Sequence, residues 1–274
     1  MNGPEGASAE TVVPSFLTPV TPAAFPGLIA FWHFGASGER FPAAQGEPYA
    51  LRSAAGPLTV ADDPDAPLGG RALELAEGQW LRIPRAECPA LDIHGPGGQL
   101  TLVAWIRRGR TKNDHCEFIA GQWNETNCGR QYGLFLNIRV WQRPHRICGH
   151  LSHVGGPTPG YRYCIDGAMG DTEIPWNQWH CVAMSYDGVC GYVWLDGRLD
   201  ARPGLNPYPM AGGLHDGGPN GSDFTVGAVD RSGEMGNFFC GRLAGLAVWR
   251  RALTPAELYA LARGPVAAGR GGPS

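Results

Sequence analysis

From Leu28 onward, short apolar or alternating runs are separated by clusters of glycine, proline and aspartate. The runs include LIAFWHF at 28–34, RALELA at 71–76, QLTLVAWIRR at 99–108, EFIAGQW at 117–123 and QYGLFLNIRV at 131–140. RICGHLS at 146–152, HCVAMSY at 180–186, GYVWLDG at 191–197, DFTVGAV at 223–229 and GRLAGLAVWRR at 241–251 continue the series. Runs of this length bounded by turn formers predict about ten strands and an all-β sandwich. Asp187-Gly188 and Asp196-Gly197 mark tight hairpins, whose central residues take left-handed backbone angles. One helix is predicted, opened by Thr254 as N-cap, Pro255 in the first helical position and Glu257 closing a capping box. There is no internal repeat and no second core. The pattern therefore describes one domain over 26–263, between a flexible leader (1–25) and a flexible tail (264–274).

Composition agrees with this picture and narrows it. The chain has 274 residues with 41 Gly, 24 Pro and nine Trp, while charged residues make up only 17%. Long-helix and coiled-coil proteins have the opposite bias, and disordered chains lack so many aromatics. The net charge of −3 asks for neither nucleic acid nor an anionic membrane as partner. No apolar run is long enough to cross a bilayer as a helix. Eight cysteines occur without a C-x-x-C pair, which excludes a zinc ribbon or a thioredoxin motif. The opening MNGPEGASAETVVPSF has no basic and apolar leader, so the expected location is cytoplasmic, with reduced and mostly buried thiols.

Four segments carry a family likeness. GLIAFWHF, LTLVAWIRR, the hairpin NQWHCVAMSYDG…YVWLDGRLD and the closing CGRLAGLAVWRRALTPAEL resemble the laminin-G-like branch of the concanavalin-A-like lectin/glucanase jelly rolls. The likeness spans roughly residues 26–263. It implies a jelly-roll sandwich of two curved antiparallel sheets, with a short C-terminal helix and a ligand site on the concave face. Family members include glycan-binding modules, hydrolases and lyases, so fold alone does not give function. Members often hold a structural Ca²⁺ through acidic residues near the chain ends. FWHFGASGER offers no aspartate just after the first strand, so no cofactor and no metal are expected.

The chemistry concentrates between Thr126 and Ile165, a stretch without one Asp or Glu. It holds Arg130, Arg139, Arg143, Arg146 and Arg162, together with His145, His150 and His153. The functional reading is an anion-binding surface with guanidinium forks aimed at carboxylate, sulfate or phosphate. The structural reading is a strand pair whose arginines meet acids elsewhere, such as Asp187 or Glu173. Strand alternation sends Ile147 and Leu151 to the core and Arg146, Cys148, His150 and Ser152 to the opposite face. It likewise sends Leu134, Leu136 and Ile138 inward, with Phe135, Asn137 and Arg139 opposite. Val193 and Leu195 point in, while Tyr192 and Trp194 point out. If these second faces coincide, aromatic platforms and polar tips share one concave surface, as sugar recognition requires. A Gly/Pro-rich loop adds Tyr161, Arg162 and Tyr163.

Several chemistries compete for this surface. His150 and His153 fall on opposite faces of a strand, which disfavours zinc. A Cys148–His150 nucleophilic pair lacks an oxyanion-hole signal. Glycoside hydrolysis needs two nearby carboxylates, and the candidate strands carry none. Elimination from a uronate-containing glycan fits the residues better. It needs cations to neutralise the carboxylate, then a base and an acid. The expected catalytic residues are His150 as base, Tyr161 or Tyr163 as acid, and Arg146 gripping the carboxylate. Asn137, Arg139, Arg162, His153, Trp123, Tyr192 and Trp194 are the expected substrate-binding residues. The expected activity is thus a carbohydrate lyase acting on an acidic carbohydrate or another small anionic ligand. Two alternatives stay open: a non-catalytic glycan- or protein-binding module, and a small-molecule enzyme of bacterial secondary metabolism.

Overall fold

The computed structural model describes residues 21–111, 115–139 and 143–263. Two large antiparallel sheets face each other. The order in the ten-stranded sheet runs Arg198–Leu199, Cys190–Leu195, Trp179–Tyr186, Leu100–Arg108, Gly241–Trp249, Leu28–His33 and Gln45–Gly46. Tyr208–Pro209, Val60–Asp62 and Arg71–Leu75 join it off that path. The eight-stranded sheet runs Gly167–Met169, Ile147–Leu151, Tyr132–Leu136, Glu117–Gln122, Phe224–Val226, Leu81–Ile83, Ala50–Ser53 and Arg40–Pro42. The jelly-roll sandwich is thus present, and each of the ten apolar runs contains a strand.

The inner faces meet in one core. Trp32, Leu102, Val182, Met184 and Val193 come from the ten-stranded sheet, and Leu81, Ile119, Leu134, Ile147, Leu151 and Phe224 from the other. Burying branched and aromatic side chains of this size stabilises a fold by about 1.5–3 kcal/mol each. The sheets are in close contact at Gly149, where a Cβ would stand 2.9 Å from the Met184 Cβ and 3.1 Å from Val193 Cγ1. Any larger residue there would push the strand outward.

The outer face of the ten-stranded sheet has its own cover. The helix α1 (Pro255–Ala262) lays Leu258 and Leu261 over Trp105, Cys181, Ala183, Trp194 and Trp249. Both reciprocal bonds of its capping box are present at Thr254 and Glu257. The hairpin residues Asp196 and Gly197 are left-handed, with φ of 49° and 76°, as the turn chemistry predicts. Of the leader read over 1–25, residues 1–20 lie outside the described residues, as does the tail from 264. Within it Pro22–Ala24 forms a 3-10 turn, and Phe25 packs on the cluster beneath α1. No helix among the described residues is long and apolar enough to cross a membrane.

The outer face of the eight-stranded sheet carries a third, smaller apolar cluster. Phe118, Trp123, Phe135, Ile138, Cys148, Cys164, Met169 and Val229 compose it. This cluster is the floor of the candidate site.

Candidate functional site

Ile147–Leu151 places its side chains as alternation predicts: Ile147 and Leu151 enter the main core, Cys148 joins the outer cluster, and His150 lines an outer pocket. On the neighbouring strand Tyr132–Leu136, Gly133 pairs with His150 across the ladder. A Cβ on Gly133 would stand 2.8 Å from Phe135 and 2.9 Å from Phe118, so the missing side chain makes room for their rings. The aromatic floor is tightly built. Phe135 and Phe118 meet edge-on at 4.8 Å, and Trp123 meets Phe135 at 5.6 Å. The imidazole of His150 sits 5.1 Å from Trp123 and 5.3 Å from Phe135, centroid to centroid.

Nδ1 of His150 lies 2.9 Å from the backbone oxygen of Asp166. A carbonyl oxygen only accepts, so Nδ1 carries the hydrogen and Nε2 keeps the lone pair. Burial among rings drives the pKa of His150 down to about 4, with the Arg130 charge adding to the effect. Asp166 is itself anchored: its carboxylate accepts hydroxyl bonds from Thr158 at 2.7 Å and Tyr208 at 2.8 Å.

The pocket over this floor has a volume of about 230 Å³, and Arg130, Arg139, Arg231, Glu125, Asn237 and Tyr163 line it together with His150. Arg130 is almost fully buried and donates to the Gly155 carbonyl at 3.3 Å, with its guanidinium 6.0 Å from the Trp123 ring. Glu125 approaches it at 3.9 Å. Arg231 arrives from the hairpin Val229–Arg231/Glu234–Gly236, where it donates to Asn237 Oδ1 at 2.8 Å. That hairpin is stitched to the site by the Glu125 N–H donating to the Asp230 carbonyl at 2.8 Å. Among the described residues, three arginines and one acid, Glu125, thus belong to the lining.

The sequence-predicted residues divide. The pocket brings together His150, Tyr163, Arg139 and Trp123. Arg146 does not reach it: its guanidinium donates to the carbonyls of Asp171 and Pro144 and lies 3.7 Å from Glu173. Arg143 pairs with the Asp171 carboxylate. For these two arginines the structural reading holds. Asn137 is buried and left-handed at φ 59°, donating to the His115 carbonyl and accepting the His145 N–H. It shapes a turn and is not in the lining of this pocket, and its backbone angle throws Ile138 onto the outer face against the expected alternation.

Tyr192 and Trp194 point outward, but from the other sheet. There they pack beneath α1, with the Tyr192 hydroxyl donating to Asp187 and Trp194 Nε1 to Ser185 Oγ. They are a hydrophobic layer on the opposite side of the sandwich from His150. His153, Tyr161 and Arg162 stand exposed on the loop beside the pocket, with the Arg162 guanidinium 5.1 Å from the Tyr163 ring. Arg130, Glu125 and Arg231 join the pocket beyond the site residues expected from the sequence. Arg130 had a signal, since it belongs to the acid-free stretch; Arg231, a hundred residues away, had none.

Other recesses are chemically quieter. A larger cleft of about 460 Å³ includes Glu74, Arg107 and Arg242, but both arginines are tied to Asp63 at 2.9 Å and Arg242 also to Glu74. Asp92, His94 and Asp216 bring ligand atoms within 4.8 Å of one another. The Arg85 guanidinium lies 2.6 Å from Asp92, so this group is an ion network with its own cation.

The fold and the pocket together define a lectin-like β-sandwich with a cationic, aromatic-floored recess on one sheet. A family model described as the concanavalin A-like lectin/glucanases superfamily matches residues 78–259, and the chain belongs to that superfamily. No curated protein sequence matches the chain. Among solved structures, it is similar to domain 4 of AbnA, a GH43 extracellular arabinanase from Geobacillus stearothermophilus, solved with arabinotriose. The TM-score is 0.50 at 17% identity, covering 86% of this chain and 98% of that one. Trypanosoma rangeli sialidase, solved with 2,3-difluorosialic acid, matches with a TM-score of 0.56 at 14% identity over 90% of this chain, which spans 36% of the sialidase. The binding domain of Paraclostridial Mosquitocidal Protein 1 matches with a TM-score of 0.52 at 11% identity, covering 86% of this chain and 52% of that one. What these structures share with the chain is the fold.

Proposed function

We propose that the pocket recognises an acidic, uronate-type carbohydrate and that its chemistry is β-elimination. The observation that carries the reading is the lining itself: Arg130, Arg139 and Arg231 beside Trp123 and Phe135, with Glu125 the one acid among its described residues. Guanidinium forks bind carboxylates, and an aromatic floor receives the apolar face of a sugar ring. Arabinotriose with the arabinanase domain and sialic acid with the sialidase support carbohydrate as the ligand class.

Elimination follows from what the site has and lacks. Among the described residues of the pocket, a hydrolytic carboxylate pair has only Glu125 to draw on. Neutralising a uronate carboxylate acidifies the proton on the adjacent carbon. Nε2 of His150 would take that proton, its electron pair would form the ring double bond, and the bond to the leaving glycosidic oxygen would break. Tyr163, at the pocket, would give its hydroxyl proton to that oxygen.

A second reading, binding without turnover, is favoured by the weak basicity of His150. Incubation with a panel of uronate oligosaccharides separates the two. The elimination reading expects the ultraviolet absorbance of an unsaturated uronate from the wild type, lost in His150→Ala while binding persists. Binding with no absorbance leaves recognition standing and removes elimination. Binding of none of the panel overturns both.

A further inference from the structure

Among the described residues, the exposed aromatic surface is concentrated beside the pocket. Five large apolar side chains stand exposed among the described residues, and Val154, Tyr161 and Tyr163 share the one segment between Leu151 and Asp166. Tyr161 is 58% exposed and Tyr163 54%. An isolated exposed aromatic needs no explanation, but a group on one loop at the lip of a pocket does.

The turn that presents them is held from within. The Tyr161 N–H donates to the Thr158 carbonyl at 2.9 Å, and the Thr158 N–H to the Tyr163 carbonyl at 3.2 Å. The Thr158 hydroxyl accepts the Ile165 N–H at 2.9 Å and donates to Asp166 Oδ2 at 2.7 Å. Ordering of this kind keeps Tyr161 available at little entropic cost to a ligand. Tyr163 lines the pocket, and Arg162 lies over its ring. Tyr161 is two residues further along the chain, within about 7 Å from Cα to Cα.

The pocket itself is small. At about 230 Å³ it falls below the roughly 300–1,000 Å³ of sites that enclose drug-sized ligands, and so suits a single sugar ring. Resting on the reading of the pocket given above, we infer that the ligand is a linked chain of consecutive acidic sugars. One ring enters the pocket; the next stacks on Tyr161, with its carboxylate toward the exposed Arg162. A free monosaccharide would leave both residues unused.

The test is calorimetric titration of the full chain with galacturonic acid and with its linear dimer, trimer and tetramer. Affinity is expected to rise about tenfold from monomer to dimer. Tyr161→Ala should remove that rise and leave monomer affinity unchanged, while Tyr161→Phe should keep it, because the ring and not the hydroxyl is used. Equal affinity for all lengths, or a rise that survives Tyr161→Ala, overturns the extended site while the pocket reading stands. A length dependence lost in Tyr161→Ala but indifferent to Arg130→Ala supports the platform and overturns the pocket. Failure of every length to bind overturns both.

Discussion

The backbone oxygen of Asp166 fixes the hydrogen of His150 on Nδ1, at 2.9 Å, and leaves the ring neutral in an apolar surround. An unfolded chain protonates this imidazole near pH 6.5, whereas the fold resists until about pH 4. Between those values the unfolded state binds more protons. The contribution of His150 to stability is therefore complete above pH 6.5 and is lost as pH falls toward 4. Urea unfolding of wild type and His150→Phe should show it. The wild type should lose about 2 kcal/mol more than the variant between pH 7 and pH 5. Parallel losses in the two proteins would show that His150 titrates normally.

Arg130 and Arg143 come from the same acid-free stretch and are expected to behave differently. Arg130 faces the pocket, while Arg143 is paired with Asp171. Calorimetry with oligogalacturonate should find binding weakened at least about tenfold by Arg130→Gln. Arg130→Lys should not restore it, since an ammonium lacks the planar fork. Arg143→Ala should bind like wild type.

Arg108 and Glu117 form a fully buried pair that ties the two sheets together, its guanidinium stacked 3.7 Å from the centroid of Trp176. Removing one partner strands the other's charge, so Glu117→Gln is expected to cost about 3 kcal/mol in denaturant unfolding. The double substitution Arg108→Met/Glu117→Leu should recover most of that loss. A double variant as unstable as the single one would mean the pair itself supplies the stability.

Gln122 is fully buried, and neither end of its amide meets a hydrogen-bond partner among the described residues. An unsatisfied buried amide is destabilising, and Met has a similar shape without the polar atoms. Gln122→Met should raise stability by about 1 kcal/mol, visible as a higher Tm. A lower Tm would indicate a bound water or partner serving that amide.

The sandwich was legible because its strands are regular where the sequence alternates. Ile147, Cys148, His150 and Leu151 each fall on the expected face. The site was only half legible, for two physical reasons. Alternation tells which residues share a face of a strand, but not which sheet owns that strand, so it cannot separate Tyr192 and Trp194 from His150. Alternation also fails across a left-handed residue, as it does at Asn137. The acid-free stretch held both paired and pocket arginines, and only tertiary contacts with Asp171 and Glu173 separate them. Arg231 entered through a distant hairpin that no local pattern announces.

Gly149 gives the pocket a rear wall. It faces Met184 and Val193 across the core, yet its immediate neighbour in sequence is His150. The strand cannot sink further, because the sheets already touch there, and an added methyl group would lift it. The depth at which the imidazole sits is therefore governed from the far side of the sheet. Substitutions at Met184 or Val193, although sealed from any ligand, would tune recognition by raising or lowering the ground on which His150 stands.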